Sequence, residues 1–129
     1  MLYGWTGKRL RVDLTTGRVA VEPIEPVFRQ MWLGGRGFNV ALLYAETGPE
    51  VGAFAPENRL IFGVGPLTGT FAPSCGRTTV TAISPIHYPE AIGDANMGGH
   101  WGAELKFAGY DQLVIQGRAE KPVYLWIAD

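Results

Sequence analysis

The sequence predicts an α+β fold: a largely antiparallel β-sheet domain with two or three short helices. Three observations predict it. Segments that read as strands outnumber those that read as helices. The strands come in adjacent pairs and do not alternate with helices, which argues against a parallel βαβ sheet. The chain of 129 residues also carries 18 glycines and 9 prolines spread along its length, so tight turns are plentiful and no low-complexity tract is present. With 47% hydrophobic residues the chain can bury a core, and its length suits one domain or most of one.

Taken in order, KRLRVDL alternates Leu10, Val12 and Leu14 with Arg9, Arg11 and Asp13, the pattern of a half-buried strand. Gly17 can take the positive φ of a bulged turn before RVAVEP returns, so residues 8–22 read as a hairpin. Pro26 suits the first turn of a short helix over 26–33, which the Gly34-Gly35 pair would stop. Phe38, Ala41, Leu42 and Ala45 share one helical face, predicting a helix over 37–46 that Gly48-Pro49 ends. RLIFGVG (59–65) reads as a buried strand, and RTTVTAIS (77–84) as a strand rich in β-branched residues. Trp101, Leu105 and Ala108 predict a helix over 98–108, closed by Gly109. Asn96 is placed as its N-cap, with Gly98 and Gly99 at the second and third helical positions. DQLVIQG (111–117) and PVYLWIA (122–128), joined by RAEK, read as two further strands.

Composition excludes several function classes. A net charge of −1 offers no basic excess for nucleic acid or an anionic membrane surface. Apolar runs such as YLWIA are too short to span a bilayer, and MLYGWTGKRLRVDL has no signal-peptide pattern, so a cytoplasmic location is expected. Cys75, the single cysteine, can form no internal disulfide and cannot alone hold a structural zinc or an iron–sulfur cluster; it reads as a small buried or half-buried thiol. No Gly-Lys-Ser/Thr ending completes a P-loop, and Pro66 interrupts GVGPLTG as a dinucleotide fingerprint. His100 and Glu104 sit four apart with no third ligand nearby and read as a surface pair. Lys106 and Asp111 have no spacing that argues for acid–base work.

Glycine concentrates beside polar residues in LGGRGF (33–38), GPLTGTFAPSCGR (65–77) and DANMGG (94–99). The first and third lead into predicted helices, whose unpaired N–H groups suit an anion that glycine lets approach. Arg77 can add the charge-assisted bond that backbone amides lack. Each feature alone also has a plainer reading: a turn between helices, a simple cap, a solvated charge at a strand end. Spacing therefore leads to an α+β domain with glycine-lined anion sites, phosphate being the candidate anion.

The segments GWTGKRLRVDLTTGRV, WLGGRGFNVALLY, PENRLIFGVGPLTGT, APSCGR and GGHWGAELKFAGYDQLVIQGRAEKPVYL occur in this order and together cover nearly the whole chain. They resemble the amino-terminal domain of the aldehyde ferredoxin oxidoreductases, tungsten enzymes with some molybdenum relatives. The resemblance implies a β-rich base for a tungstopterin (or molybdopterin) cofactor, in which two pterins hold the metal and a magnesium ion bridges their phosphates. It implies that Arg77, Asn96 and Gly98 contact the pterin, and that the backbone carbonyl of Asn96 also reaches the magnesium. The glycines of DANMGG then look like a surface cleared for a phosphate-bearing cofactor. Members of the family are several times longer. Their four-cysteine ligand set for a 4Fe-4S cluster, a later glycine-rich pterin segment and the helical domains enclosing the substrate have no counterpart here. The resemblance thus implies that residues 1–129 form part of the amino-terminal, pterin-binding domain: a fragment, a truncated frame or one piece of a split enzyme. Its partners would be the remaining domains or a partner chain, with ferredoxin as acceptor for the whole enzyme, which converts aldehydes to carboxylic acids. Apolar residues such as Phe71 or Trp101 would face those missing parts. The competing reading is a non-catalytic, stand-alone module that binds another phosphate-bearing ligand or a protein partner.

Overall fold

The alternation at the amino terminus builds the expected hairpin. In the computed structural model, which describes residues 3–86 and 88–128, β1 (Lys8–Asp13) pairs antiparallel with β2 (Arg18–Pro23). Gly17 turns the corner at φ +69° with open space around it, so backbone conformation alone selects glycine there. α1 (Pro26–Trp32) begins on its proline, and α2 (Arg36–Glu46) presents Phe38, Asn39, Leu42 and Leu43 inward. β3 (Arg59–Val64), β4 (Thr78–Ser84), β5 (Ala91–Met97), α3 (Trp101–Phe107) and β6 (Gln112–Gln116) follow. The strands form one sheet in the order β2-β1-β6-β3-β4-β5, in which β1 and β6 run parallel and every other neighbouring pair antiparallel. The α+β, largely antiparallel expectation holds.

Two expectations fail. Asn96 is no N-cap. It lies inside β5, which pairs with β4 from Ser84 opposite Ala91 to Thr78 opposite Met97. Glycine, aspartate and asparagine disfavour strands locally, but a full ladder against a β-branched partner outweighs that preference. The helix starts later, at Trp101 with His100 as its N-cap residue, so Gly98 and Gly99 lie in the link and not in the first turn. PVYLWIA is likewise no strand. Both edges of β6 are already taken by β1 and β3, leaving the strand-forming composition of this segment nothing adjacent to pair with.

Strand alternation gives the sheet two unlike faces. Toward α2, Leu42 and Leu43 pack on Ile61 and Val114, with Ile83 alongside. Toward α3, Leu105 packs on Leu10, Val12, Val64 and Leu113, with Phe62 and Ile115 alongside. Phe62 and Trp101 stack at 5.2 Å between ring centroids. No helix among the described residues is long and apolar enough to cross a membrane.

Candidate anion-binding site

One end of the sheet gathers the three glycine-rich segments. β1 and β6 begin there, β3 ends, β4 begins and β5 ends. Residues 33–35 link α1 to α2, 65–77 link β3 to β4, and 98–100 link β5 to α3. Their backbones touch. A Cβ on Gly34, at φ +147°, would stand 2.7 Å from the Val64 carbonyl oxygen and 3.1 Å from Gly65 Cα. The Gly35 amide donates to the Val64 carbonyl at 3.0 Å. A Cβ on Gly76 would lie 3.5 Å from the Gly99 carbonyl oxygen.

The β4–β5 register sets Arg77, Asn96 and Gly98 side by side. Thr78 faces Met97 and Thr79 faces Asn96, so Arg77, just before β4, stands beside Gly98, just after β5. The pleat assigns residues 77, 79, 96 and 98 to the same face, that of α2. Buried Thr79 donates its hydroxyl to Asn96 Oδ1 at 3.1 Å, which fixes the amide and leaves its N–H donors uncommitted. Arg77 is exposed, with no ion-pair partner among the described residues. Gly98 has no left-handed φ, and nothing lies within 4 Å of where its Cβ would project. Neither backbone nor packing inside the chain therefore demands glycine at this position.

Three neighbours escaped the sequence reading. Thr79 is one. The others are Arg36, the first residue of α2, and Asp94, which lies two residues before Asn96 on the same face of β5. Arg36 Nη2 lies 2.6 Å and Nε 2.9 Å from Asp94 Oδ2. A Cβ on Gly35 would be 3.7 Å from Thr79 Oγ1, so α2 starts directly above the Thr79–Asn96 pair. LGGRGF carries the only local signal; the partnership with Asp94 spans 58 positions and needs the sheet to be known.

The motif GAELKFAGYD has a structural task at the same end. Lys106 Nζ lies 2.5 Å from Asp111 Oδ1 and donates to the Gly4 carbonyl at 2.9 Å, while Asp111 accepts the Thr6 and Gly7 amides at 3.1 and 2.7 Å. Both charges are buried, and these bonds satisfy them while tying the amino-terminal segment to α3 and β6. Cys75 is a half-buried thiol as expected, donating Sγ–H to the Ala72 carbonyl at 2.8 Å. Among the described residues no group of three or more His, Cys, Asp or Glu could hold a metal ion.

The other charged network sits at the far end of α2. Arg11 binds Glu46 at 2.6 Å and Glu22 at 2.8 Å, and Arg59 reaches Glu46 at 3.2 Å. Burial alone would raise the Glu46 carboxyl, but hydrogen bonds and charge from Arg11, then Arg59, hold it below the usual carboxylate range. Two cavities open on the α3 face. One of about 680 Å³ lies between α3 and residues 125–128, lined by Phe62, Met97, Trp101 and Trp126; the other, of about 580 Å³, lies beside Phe54 and Leu60. Neither is lined by Arg77, Asn96 or Gly98, which sit on open surface of the opposite face.

Residues 9–129 match the family model described as aldehyde ferredoxin oxidoreductase, N-terminal domain. A tungsten-containing aldehyde ferredoxin oxidoreductase of Pyrococcus abyssi is 50% identical over 128 residues, which cover 99% of this chain and 21% of the relative. The corresponding protein of Pyrococcus furiosus is 49% identical over the same shares. Among solved structures, the active-site complex BamBC of benzoyl coenzyme A reductase with 1,5-dienoyl-CoA superimposes with a TM-score of 0.93 at 42% identity, covering 98% of this chain and 19% of that one. The chain thus spans about a fifth of the length of the curated relatives it matches. On sequence and fold alike, it belongs to the aldehyde ferredoxin oxidoreductase family, matching its N-terminal domain.

Proposed function

We propose that this chain is the pterin-binding part of a tungsten (or molybdenum) aldehyde:ferredoxin oxidoreductase, residues 1–129 forming a portion of its amino-terminal domain. The observation that carries the reading is Gly98. Nothing inside the chain requires a glycine there, yet a side chain would fill the space beside Arg77 and Asn96. That is the fit expected of a surface approached closely by a ligand from outside.

In this reading Arg77 supplies positive charge to a pterin phosphate. Asn96 offers amide donors to the pterin and its backbone carbonyl to a bridging magnesium ion. Gly98 keeps the surface clear. Thr79 holds the Asn96 amide in orientation through its hydroxyl. When bound, the cofactor supplies the two-electron chemistry that converts an aldehyde to a carboxylic acid, with electrons leaving through an iron–sulfur cluster to ferredoxin. The chain's own residues bind, orient and neutralise. With one cysteine they hold no cluster, so the cluster, the substrate cavity and the ferredoxin contact belong to further domains or a partner chain.

The test is metal and pterin analysis of the purified chain, alone and co-expressed with candidate partner chains, beside Gly98→Val. Tungsten or molybdenum with pterin should co-purify with the chain or its complex and fall at least tenfold in Gly98→Val, with circular dichroism unchanged. Equal loading of the variant overturns the reading. The isolated chain should reduce no viologen with aldehyde, and turnover by it alone would be equally fatal.

A further inference from the structure

We propose that Arg36 is a second phosphate-binding cation of this site, held in place by Asp94. The proposal rests on the reading of Arg77, Asn96 and Gly98 as a surface for a phosphate-bearing cofactor, and adds a residue to it.

The geometry carries it. Arg36 spends its Nε and Nη2 on a single oxygen, Asp94 Oδ2, at 2.9 and 2.6 Å. A guanidinium has five N–H groups in a planar fork, so the Nη1 pair remains available. The side chain of Arg36 is 61% exposed, and no other ion-pair partner faces it among the described residues. An exposed pair of this kind contributes little to stability, so the fold itself gains little from it. Asp94 is two residues from Asn96 on the same strand face, a separation of roughly 7 Å. The start of α2 stands directly over Thr79, opposite Asn96. A phosphate lying beside Asn96 and Gly98 would therefore have Arg77 on one side and the free edge of Arg36 on the other. Arginine, unlike lysine, can serve a carboxylate on one edge of its fork and a phosphate on another, and Asp94 fixes the side chain in advance.

Inorganic phosphate is the probe, titrated into the full chain at low ionic strength and followed by NMR of backbone amides and arginine Nε–H groups. Wild type should show shifts at residues 77, 96, 98 and 36 that saturate together. Arg36→Met should weaken binding about tenfold, as expected for losing a charge-assisted bond, and Arg36→Lys, which keeps charge without the fork, should fall between. The double variant Arg36→Met with Asp94→Asn removes the carboxylate that Arg36→Met leaves unpaired: binding that stays well below wild type assigns the loss to the Arg36 cation, whereas recovery to wild-type affinity would assign it to repulsion by Asp94 and overturn the proposal. Wild-type affinity in Arg36→Met, with loss in Arg77→Met, overturns the role of Arg36 and leaves the site reading intact. No saturable shift in wild type overturns both. An equal loss in Arg18→Met, on the distant edge strand β2, would reduce the effect to an adventitious ion only and overturn the proposal.

Discussion

The two faces of the sheet are built by different physics. On the α2 face, buried polar groups are cross-linked. Asn39, fully buried, shares its two Nδ2–H donors among the Ile61 and Thr79 carbonyls and Thr81 Oγ1, and accepts from Gln112 Nε2. Arg11, Glu22, Glu46 and Arg59 form one network across the far end of the same face. On the α3 face the packed groups are mostly apolar, with buried Thr68 and Thr78 beside Gly102, and their cover is thin: a seven-residue helix and residues 125–128, with a cavity of about 680 Å³ between them. Directional bonds constrain both distance and angle, which suits the face that carries the candidate residues Arg77, Asn96 and Gly98, at the end where α2 begins. The apolar face instead leaves Trp126 84% and Phe107 63% exposed, the composition of a surface that takes a cover. Phe71 and Trp101, expected to face further domains, are exposed as well, Phe71 fully.

The largest test of this contrast lies where the faces meet, at the Lys106–Asp111 pair. Lys106→Met would leave the fully buried Asp111 carboxylate with two amide donors and no cation. The expected cost is about 3–5 kcal/mol, read as a fall in the urea midpoint. It should also loosen residues 4–7, detected by amide hydrogen exchange. A loss below about 1 kcal/mol would mean that the pair is solvated, and that this end of the sheet is less rigid than the site requires.

A smaller effect separates the faces by pH. Glu46 titrates below its unfolded value of about 4.3, because Arg11 and Arg59 stabilise its charged form. Its contribution is therefore fully present above that unfolded value and is lost as pH falls through the lower, folded one. The Glu46 contribution should be constant from pH 7 to about 5 and be lost only at more acidic pH, below its unfolded value. Glu46→Gln should cost about 1 kcal/mol at pH 7, discounted for partial exposure, and should flatten the acid limb of the curve. An unchanged acid limb in Glu46→Gln would place the acid sensitivity elsewhere, Asp13 being the next candidate, since Gln116 and the Thr16 amide lower its carboxyl too.

How much of this was legible in the sequence follows the same division between local and distant causes. The first hairpin, α1 and α2 were readable because strict alternation at Leu10, Val12 and Leu14, Pro26, and the Phe38–Ala45 spacing all act within one element. β5 was hidden, since its glycine, aspartate and asparagine argue locally for a turn while the ladder with β4 is a distant cause. The tail failed in the opposite sense: PVYLWIA has strand composition, but strand formation needs a free edge, and β6 has none. For the site, the glycine clusters and Arg77 were visible as an anion-binding composition. Arg36 with Asp94 and Thr79 with Asn96 were not, because each pair exists only through the sheet register.

The smallest expected effect on stability sharpens the comparison from the apolar side. Trp126, 84% exposed, lines the α3-face cavity and makes no side-chain hydrogen bond among the described residues. Trp126→Glu should change the unfolding free energy by no more than about 0.5 kcal/mol, as for other surface substitutions. It should nevertheless lower the tendency of the chain to associate, because it places a charge in the middle of an apolar surface. Sedimentation velocity across a concentration series reads that tendency, and urea unfolding reads stability on the same samples. A change confined to association would establish that the outer surface around Trp126 seeks a cover and adds little to the core beneath it. A loss of more than about 1 kcal/mol would show the tail packed into the core, and the two faces would then be more alike than their exposures indicate. Phosphate binding at Arg77 and Asn96, on the opposite face, should be indifferent to the substitution, since sites this far apart with no shared partners act independently.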